Sequence, residues 1–382
     1  MKVVIAIDSF KGSLSSVEAG HIIKTGIHEV FPEAKVTVVP VADGGEGTVA
    51  ALVEGMGGKE VTKTVTGPLG DPVQATYGIL PKTHTAIIEM AQASGLTLVP
   101  TELRNPLHTT TYGVGELIRD AIEKGCRHFV VGIGGSATND AGLGMLQALG
   151  FEFFDLHGNP VGKAGGHLKD IASIKVNNKL KALDECTFKI ACDVNNPLFG
   201  PNGAAHIFGP QKGATPEIVA ELDHGLAHFA SVAKQDLGVD LAQTPGAGAA
   251  GGLGYAFKAF LHGELESGVA IIVAESRLED HLKGADYLIT GEGRLDYQTA
   301  MGKAPIGVAA AGVKQGAKVI ALAGSISDDA QANNAAGIDA YFSIQNGPID
   351  LETAMDKKVA AANMKDTTVQ IFNLIKAARK AA

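Results

Sequence analysis

The chain has 382 residues, a formal net charge of −9 and only three cysteines. That length exceeds one ordinary domain and points to two. The acidic balance, with no basic patch, excludes a typical nucleic-acid partner, and no run of ~18 apolar residues is present to form a membrane span.

Cys126, Cys186 and Cys192 are widely spaced and form no CxxC pair. This suits a reducing, cytoplasmic setting better than a disulfide framework or structural zinc. Each reads as a small buried hydrophobe; Cys192, beside Asp193 in a polar loop, is also weighed as a reactive thiol. Glycine is the outlier, with 49 residues against a usual share of about 7%. The glycines are not periodic. They cluster beside Asp, Ser, Asn and Lys, as a backbone that approaches a phosphate closely would require.

In chain order, residues 2–7 form a continuous apolar run, read as a buried strand rather than a signal peptide. Residues 15–30 read as a helix opened by a capping box, Ser15 with Glu18. A strand at 35–39 and a helix at 46–56 follow, the helix stopped by Gly57-Gly58. Residues 62–90 read as three strands joined by turns at 67–72 and 81–82. A helix covering 118–124, a strand at 127–133 and a helix at 139–149 come next. The region 151–284 is looser and glycine-rich. The alternation then returns: strand 286–290, helix 304–313, strands 318–323 and 340–344, and a helix around 367–380. Alternating elements predict an α/β fold with a mostly parallel sheet covered on both faces. The pieces that break the rhythm predict a second, inserted domain. The division reads as 1–65 plus 113–150 plus 285–382 for the first domain, and 66–112 plus 151–284 for the insert.

Ligands of open parallel sheets bind beyond the carboxyl ends of the strands. Five predicted strand ends lead into polar, glycine-bearing loops: Asp8-Ser9-Phe10-Lys11, Ala42-Asp43-Gly44-Gly45-Glu46, Gly132-Ile133-Gly134-Gly135-Ser136, Thr290-Gly291-Glu292-Gly293-Arg294 and Ala323-Gly324-Ser325. Lys11 reads either as a phosphate cation or as a solvated loop lysine. Asp43 and Glu46 read either as Mg²⁺ ligands or as a helix cap and a first-turn acid. Gly132, Gly134 and Ala137 fit G-x-G-x-x-A, with Asp155 roughly 20 residues further on, so an NAD-linked dehydrogenase of a small hydroxy acid is the rival enzyme class. No Walker motif is present. In the looser region, Asp193 follows an apolar run, Lys212 sits in the turn Gly209-Pro210-Gln211-Lys212-Gly213, and the segment 245–254 also fits GxGxxG. His224 and His228 stand one helical turn apart without a third ligand and read as a solvated face.

Together these motifs resemble the type I glycerate kinase family of bacteria. The resemblance covers essentially the whole chain and rests on Asp8-Ser9-Phe10-Lys11, 42–48, 132–139, 191–198, 208–214, 245–254 and 290–294 followed by Asp296. Two departures are Ile7, where relatives usually carry proline, and Ala141, where they often carry glycine. The resemblance implies a Rossmann-like parallel-sheet domain interrupted by an inserted α/β domain. It also implies ATP- and Mg²⁺-dependent phosphorylation of D-glycerate, most often at the 2-hydroxyl. A non-catalytic sugar-acid binding protein is the other alternative, and oligomeric state is left open.

Phosphoryl transfer depends mainly on positioning and charge neutralisation. On that chemistry, Gly132, Gly134, Gly135, Ser136, Gly291, Gly293 and Lys212 are expected to hold ATP. Asp43 or Asp296 is expected to hold Mg²⁺. Lys11 and Arg294 are the expected cations, and Asp193 the expected acceptor of the hydroxyl proton.

Overall fold

The computed structural model describes residues 1–42 and 47–381. Its strands among these residues are β1 (Lys2–Ile5), β2 (Lys35–Val38), β3 (Lys59–Thr66), β4 (Pro72–Leu80), β5 (Thr85–Glu89), β6 (His128–Gly132), β7 (Glu152–Phe154), β8 (Ser173–Lys175), β9 (Thr187–Ala191), β10 (Glu264–Glu266), β11 (Tyr287–Leu295), β12 (Lys318–Ile326) and β13 (Ala340–Ser343). The chain divides into two compact units. The first is Met1–Asp43, Ala50–Gly57 and Val269–Ala382; the second is Gly44–Val49 and Gly58–Gly268.

The first unit is built on a five-stranded sheet in the order β13-β12-β11-β1-β2, with every pairing parallel. Counted along this unit alone, the order is 2-1-3-4-5, a doubly wound arrangement whose switch point lies between β1 and β11. Successive side chains of a strand face opposite sides. Val3, Ile5, Ile289, Ile320 and Leu322 accordingly share one core with Ile23, Ile27, Met364 and Phe372 from the helices Ser16–Val30 and Lys357–Ala381. Leu288 and Val319 point the other way, onto Gly312 of the helix Ala304–Lys314. Both faces are covered, which is why these strands read as continuous apolar runs. The capping box at the first helix is formed: Ser15 accepts from the Glu18 amide, and Glu18 accepts from the Ser15 amide.

Strand β11 runs five residues beyond the expected end at 290, and Glu292, Arg294 and Leu295 keep register with Ala323, Ser325 and Ile326. The apparent loop at 290–295 is therefore strand. Gly291 explains the misreading. Its φ is +150°, and a Cβ there would lie 1.9 Å from the Leu322 carbonyl oxygen, so a glycine that resembles a turn signal is needed for two strand backbones to meet.

The second unit carries a six-stranded mixed sheet, β10-β9-β6-β5-β4-β3. Strands β3, β4 and β5 are antiparallel, the three-strand run expected at 62–90; β5, β6, β9 and β10 are parallel. Residues 58–65 and 113–150, read from sequence with the first domain, belong to this unit, and 269–284 to the first. The reason is pairing that no local signal reports: β6 hydrogen-bonds between β5 and β9. The core is aromatic, with Phe151, Phe153, Phe229, Tyr255 and Phe260 packed at centroid distances of 5.7–6.4 Å.

Candidate active site

In the second unit, polar groups gather where the parallel strands end. Glu89 closes β5, is buried, and accepts from the Val49 amide at 2.9 Å. The Met90 amide donates to the Gly132 carbonyl at 2.9 Å, tying the ends of β5 and β6 together. Beyond β6 the chain exposes Gly134 and Gly135, the latter at φ +72°. Nothing lies within 4 Å of where a Gly134 Cβ would stand. This is backbone that an anion can approach.

The helix expected over 139–149 starts later, at Leu143, and runs to Ala148. Asp140 is the cause. Its carboxylate, fully buried, accepts from the Thr111 amide and hydroxyl, both at 2.8 Å, and from the Gly142 and Gly144 amides at 3.2 and 3.3 Å. A short acidic side chain that bonds nearby amides in this way competes with the helix. Burial raises the Asp140 pKa, against the lowering effect of those four donors. The chain enters the helix through two left-handed residues, Ala141 at φ +50° and Gly142 at φ +72°. The G-x-G-x-x-A match therefore lacks its defining context, because no helix N-terminus sits at the glycines. Asp155 lies elsewhere, in an exposed turn where it accepts from the His157 and Asn159 amides.

Lys212 closes this loop from behind. It is 2% exposed, and its Nζ donates to Ser136 Oγ at 2.8 Å and to the Thr138 carbonyl at 2.6 Å. Burial pushes its pKa down to about 7, with Asp140 opposing. Thr138 Oγ1 and both side-chain polar atoms of Asn139 are buried without a hydrogen-bond partner among the described residues. The segment 246–251 packs on the same loop. A Cβ on Gly251 would lie 2.0 Å from the Thr138 carbonyl oxygen, and one on Gly248 2.2 Å from that of Pro197. This GxGxxG match is thus explained by close backbone packing.

Asp193 lies two residues past β9. It is exposed, and its Oδ1 accepts from the Gly268 amide at 3.1 Å. Cys192 is half-buried beside the Val194 and Gly246 carbonyls, and burial raises its thiol pKa. That opposes the reactive-thiol reading, since the thiolate is the reactive form. His228 is bonded at 2.7 Å to the Ile171 carbonyl. Among the described residues, no group of three or more His, Cys, Asp or Glu is placed to hold a metal.

In the first unit the polar residues collect at the switch point. The Asp8 amide donates to the Gly291 carbonyl at 3.0 Å, which sets the loop carrying Lys11 beside β11. A Cβ on Gly293 would lie 3.8 Å from Phe10 Cα and 3.9 Å from the Lys11 amide nitrogen. Lys11 and Arg294 are both exposed. Asp296 caps the short helix Tyr297–Ala300, accepting from the Thr299 amide at 3.1 Å. Glu292 accepts from the Thr299 hydroxyl at 2.5 Å, so one threonine draws two carboxylates together. Arg294 and Lys303 stand 3.9 and 3.6 Å from Asp296. Burial works against ionisation of Asp296, yet the Thr299 amide and Lys303 hold its carboxyl below the usual value. Asp43 and Glu46 lie outside the described residues.

Sequence reading placed Asp140 and Glu292 within candidate loops without giving either a role, and missed Glu89 and Lys303 as members of these clusters. Glu89 and Glu292 had a signal, a carboxylate at the end of an apolar strand; Lys303 had none.

A doubly wound parallel unit carrying a long α/β insert, with polar loops at the strand ends of each, defines a two-unit α/β enzyme outside the P-loop class. The chain matches the glycerate kinase family over residues 3–376, and it belongs to that family. It is 51% identical over 344 residues to the glycerate 2-kinase of Escherichia coli strain K12, covering 90% of each chain. It is 49% identical over 379 residues to the glycerate kinase of Bacillus subtilis strain 168, covering 99% of each. A crystal structure from Salmonella typhimurium LT2, of a chain assigned as glycerate kinase 2, superposes with a TM-score of 0.92 at 46% identity, covering 100% of this chain and 99% of that one. No helix among the described residues is long and apolar enough to cross a membrane.

Proposed function

We propose that this chain is a cytoplasmic glycerate kinase that transfers the γ-phosphoryl group of ATP to the 2-hydroxyl of D-glycerate, giving 2-phosphoglycerate and ADP. The observation that carries the reading is the family match along nearly the whole chain, which takes in every strand-end loop described above. The geometry agrees with what phosphoryl transfer asks of a protein, namely positioned donors and neutralised charge. The exposed backbone at Gly134 and Gly135, beside the buried Ser136, is suited to phosphate oxygens. Arg294 offers a planar fork for a carboxylate or phosphate, and Lys11 a point charge. Asp193, with one oxygen fixed by the Gly268 amide, is the base we assign to the substrate hydroxyl.

The carboxylates fit Mg²⁺. This ion takes one or two carboxylates and completes its shell with phosphate and water, and Glu292 and Asp296 are brought together at Thr299. These two residues would hold the ion; Asp43 is retained as a further ligand. When bound, Mg²⁺ supplies charge neutralisation on the transferring phosphate.

The first test is an ADP-release assay. ADP should form only when ATP, Mg²⁺ and D-glycerate are all present, and NAD should be neither bound nor reduced. Nucleotide turnover indifferent to glycerate, or NAD reduction, contradicts the proposal. Within it, Lys11→Met is expected to lower kcat by about 10²-fold, as for loss of one transition-state donor. A folded variant with unchanged kcat makes Lys11 a bystander.

A further inference from the structure

The Gly134–Ser136 turn is held in shape by a buried lysine. Lys212 spends two of its three N–H donors on Ser136 Oγ and the Thr138 carbonyl. Among the described residues it forms no ion pair. Asp140 acts on it through space, but the Asp140 carboxylate is committed to Thr111, Gly142 and Gly144. Arg104 packs its carbonyl and Cβ toward Gly213 and turns its Nε to the Val99 carbonyl at 3.4 Å. On the neighbouring helix Ala204–Phe208, His206 lies 3.8 Å from Asp223.

A buried ammonium without a close counter-ion is charged only at a cost, and an anion brought to the same low-dielectric loop lowers that cost. Resting on the reading that this loop handles the anionic groups of the reaction, we infer that Lys212 is a positioning residue whose ammonium clamps the loop, and that binding of an anion at the loop is coupled to uptake of a proton by Lys212. The anion is either a nucleotide phosphate or the glycerate carboxylate. The proton comes from solvent and no covalent bond changes. Burial that brings the lysine's ionisation down to about pH 7 places this coupling in the working range.

The experiment is calorimetric titration of the full-length protein with ATP and, separately, with D-glycerate, in two buffers of different ionisation enthalpy at pH 7.5. The wild type is expected to take up about half to one proton more than Lys212→Met with whichever ligand sits at the loop. The ligand that shows the difference identifies the occupant. Lys212→Arg, permanently charged, should bind without the extra proton. Should neither variant fold, the wild-type pH profile decides: kcat/KM is expected to fall about tenfold per pH unit above about pH 7, as the clamp loses its proton. Equal proton counts in wild type and variants, or a flat profile from about pH 6.5 to 9, overturn the inference. Absence of glycerate turnover would instead count against the kinase reading, since proton uptake on binding is measured without turnover.

Discussion

Asp193→Asn is expected to lower kcat by about 10²–10³-fold while affinity for ATP stays nearly constant. The substitution keeps the size of the side chain and removes its charge. The hydrogen bond from the Gly268 amide to Oδ1 can be kept by the amide oxygen of asparagine, so the local backbone has no reason to move. The side chain is exposed, so stability should change little. A general base contributes about 10²–10⁴-fold in rate, and a loose phosphoryl transition state favours the lower part of that range. The check is kcat, ATP affinity and Tm on one preparation. A Mg²⁺ ligand would behave differently: nucleotide affinity would weaken and high metal would restore part of the rate. Normal kcat in the folded variant removes Asp193 from the chemistry.

Gly291→Ala should have the largest effect on stability. Gly291 is buried in the parallel sheet and pairs in register with Leu322. A Cβ would lie 1.9 Å from the Leu322 carbonyl oxygen and 2.8 Å from its carbon, with φ at +150°. Backbone atoms of a central strand cannot swing aside as a side-chain tip can, so β11 and β12 must separate or the residue must change conformation. Either outcome strains the sheet that sets the Lys11 and Asp296 loops. The expected loss is about 3–5 kcal/mol, at the severe end for a single substitution, read as a lower denaturation midpoint. Gly134→Ala is the matched control. It has open space around the new methyl, so stability should stay within about 0.5 kcal/mol and any effect should appear in nucleotide binding. A Gly291→Ala protein as stable as wild type would contradict the packing.

Lys212 carries the opposite relation between stability and function. Its ionisation is depressed to about 7 in the fold against an ordinary value of about 10.4 in the unfolded chain. Between these two pH values the unfolded chain binds the additional proton, so this residue makes stability rise with pH across that window. The protonated form that clamps the loop is thus the less stable one. Lys212→Met also leaves Ser136 Oγ and the Thr138 carbonyl without their donor, so the test is the trend with pH: the Tm of the variant relative to wild type should fall as pH rises from about 7 to 9, whereas a lysine of ordinary ionisation would leave that difference flat.

What could be read from the residues was local. The apolar run at 2–5, the Ser15–Glu18 capping box and the three strands at 59–89 each carry their signal within a few neighbours. The family resemblance likewise rested on contiguous motifs. What could not be read depends on partners distant in sequence. Strand β6 alternates with helices as though it belonged to the first sheet, and only its pairing with β5 and β9 assigns it to the second. Gly291 and Gly293 resemble a turn until β12 is laid beside them. Lys212, between Gln211 and Gly213 in a turn, reads as a cation offered to ATP, and only the fold shows it buried against Ser136 and Thr138. Ala141 shows the reverse case. The sequence marks it as a departure from glycine, and φ of +50° gives the reason that glycine is easier there.

The most direct test is phosphorus–proton correlation NMR of the product made from ATP, Mg²⁺ and D-glycerate. One new phosphomonoester is expected, formed one for one with ADP, whose phosphorus couples to the single proton on C2. Coupling to the two C3 protons, or inorganic phosphate in place of an ester, would contradict it.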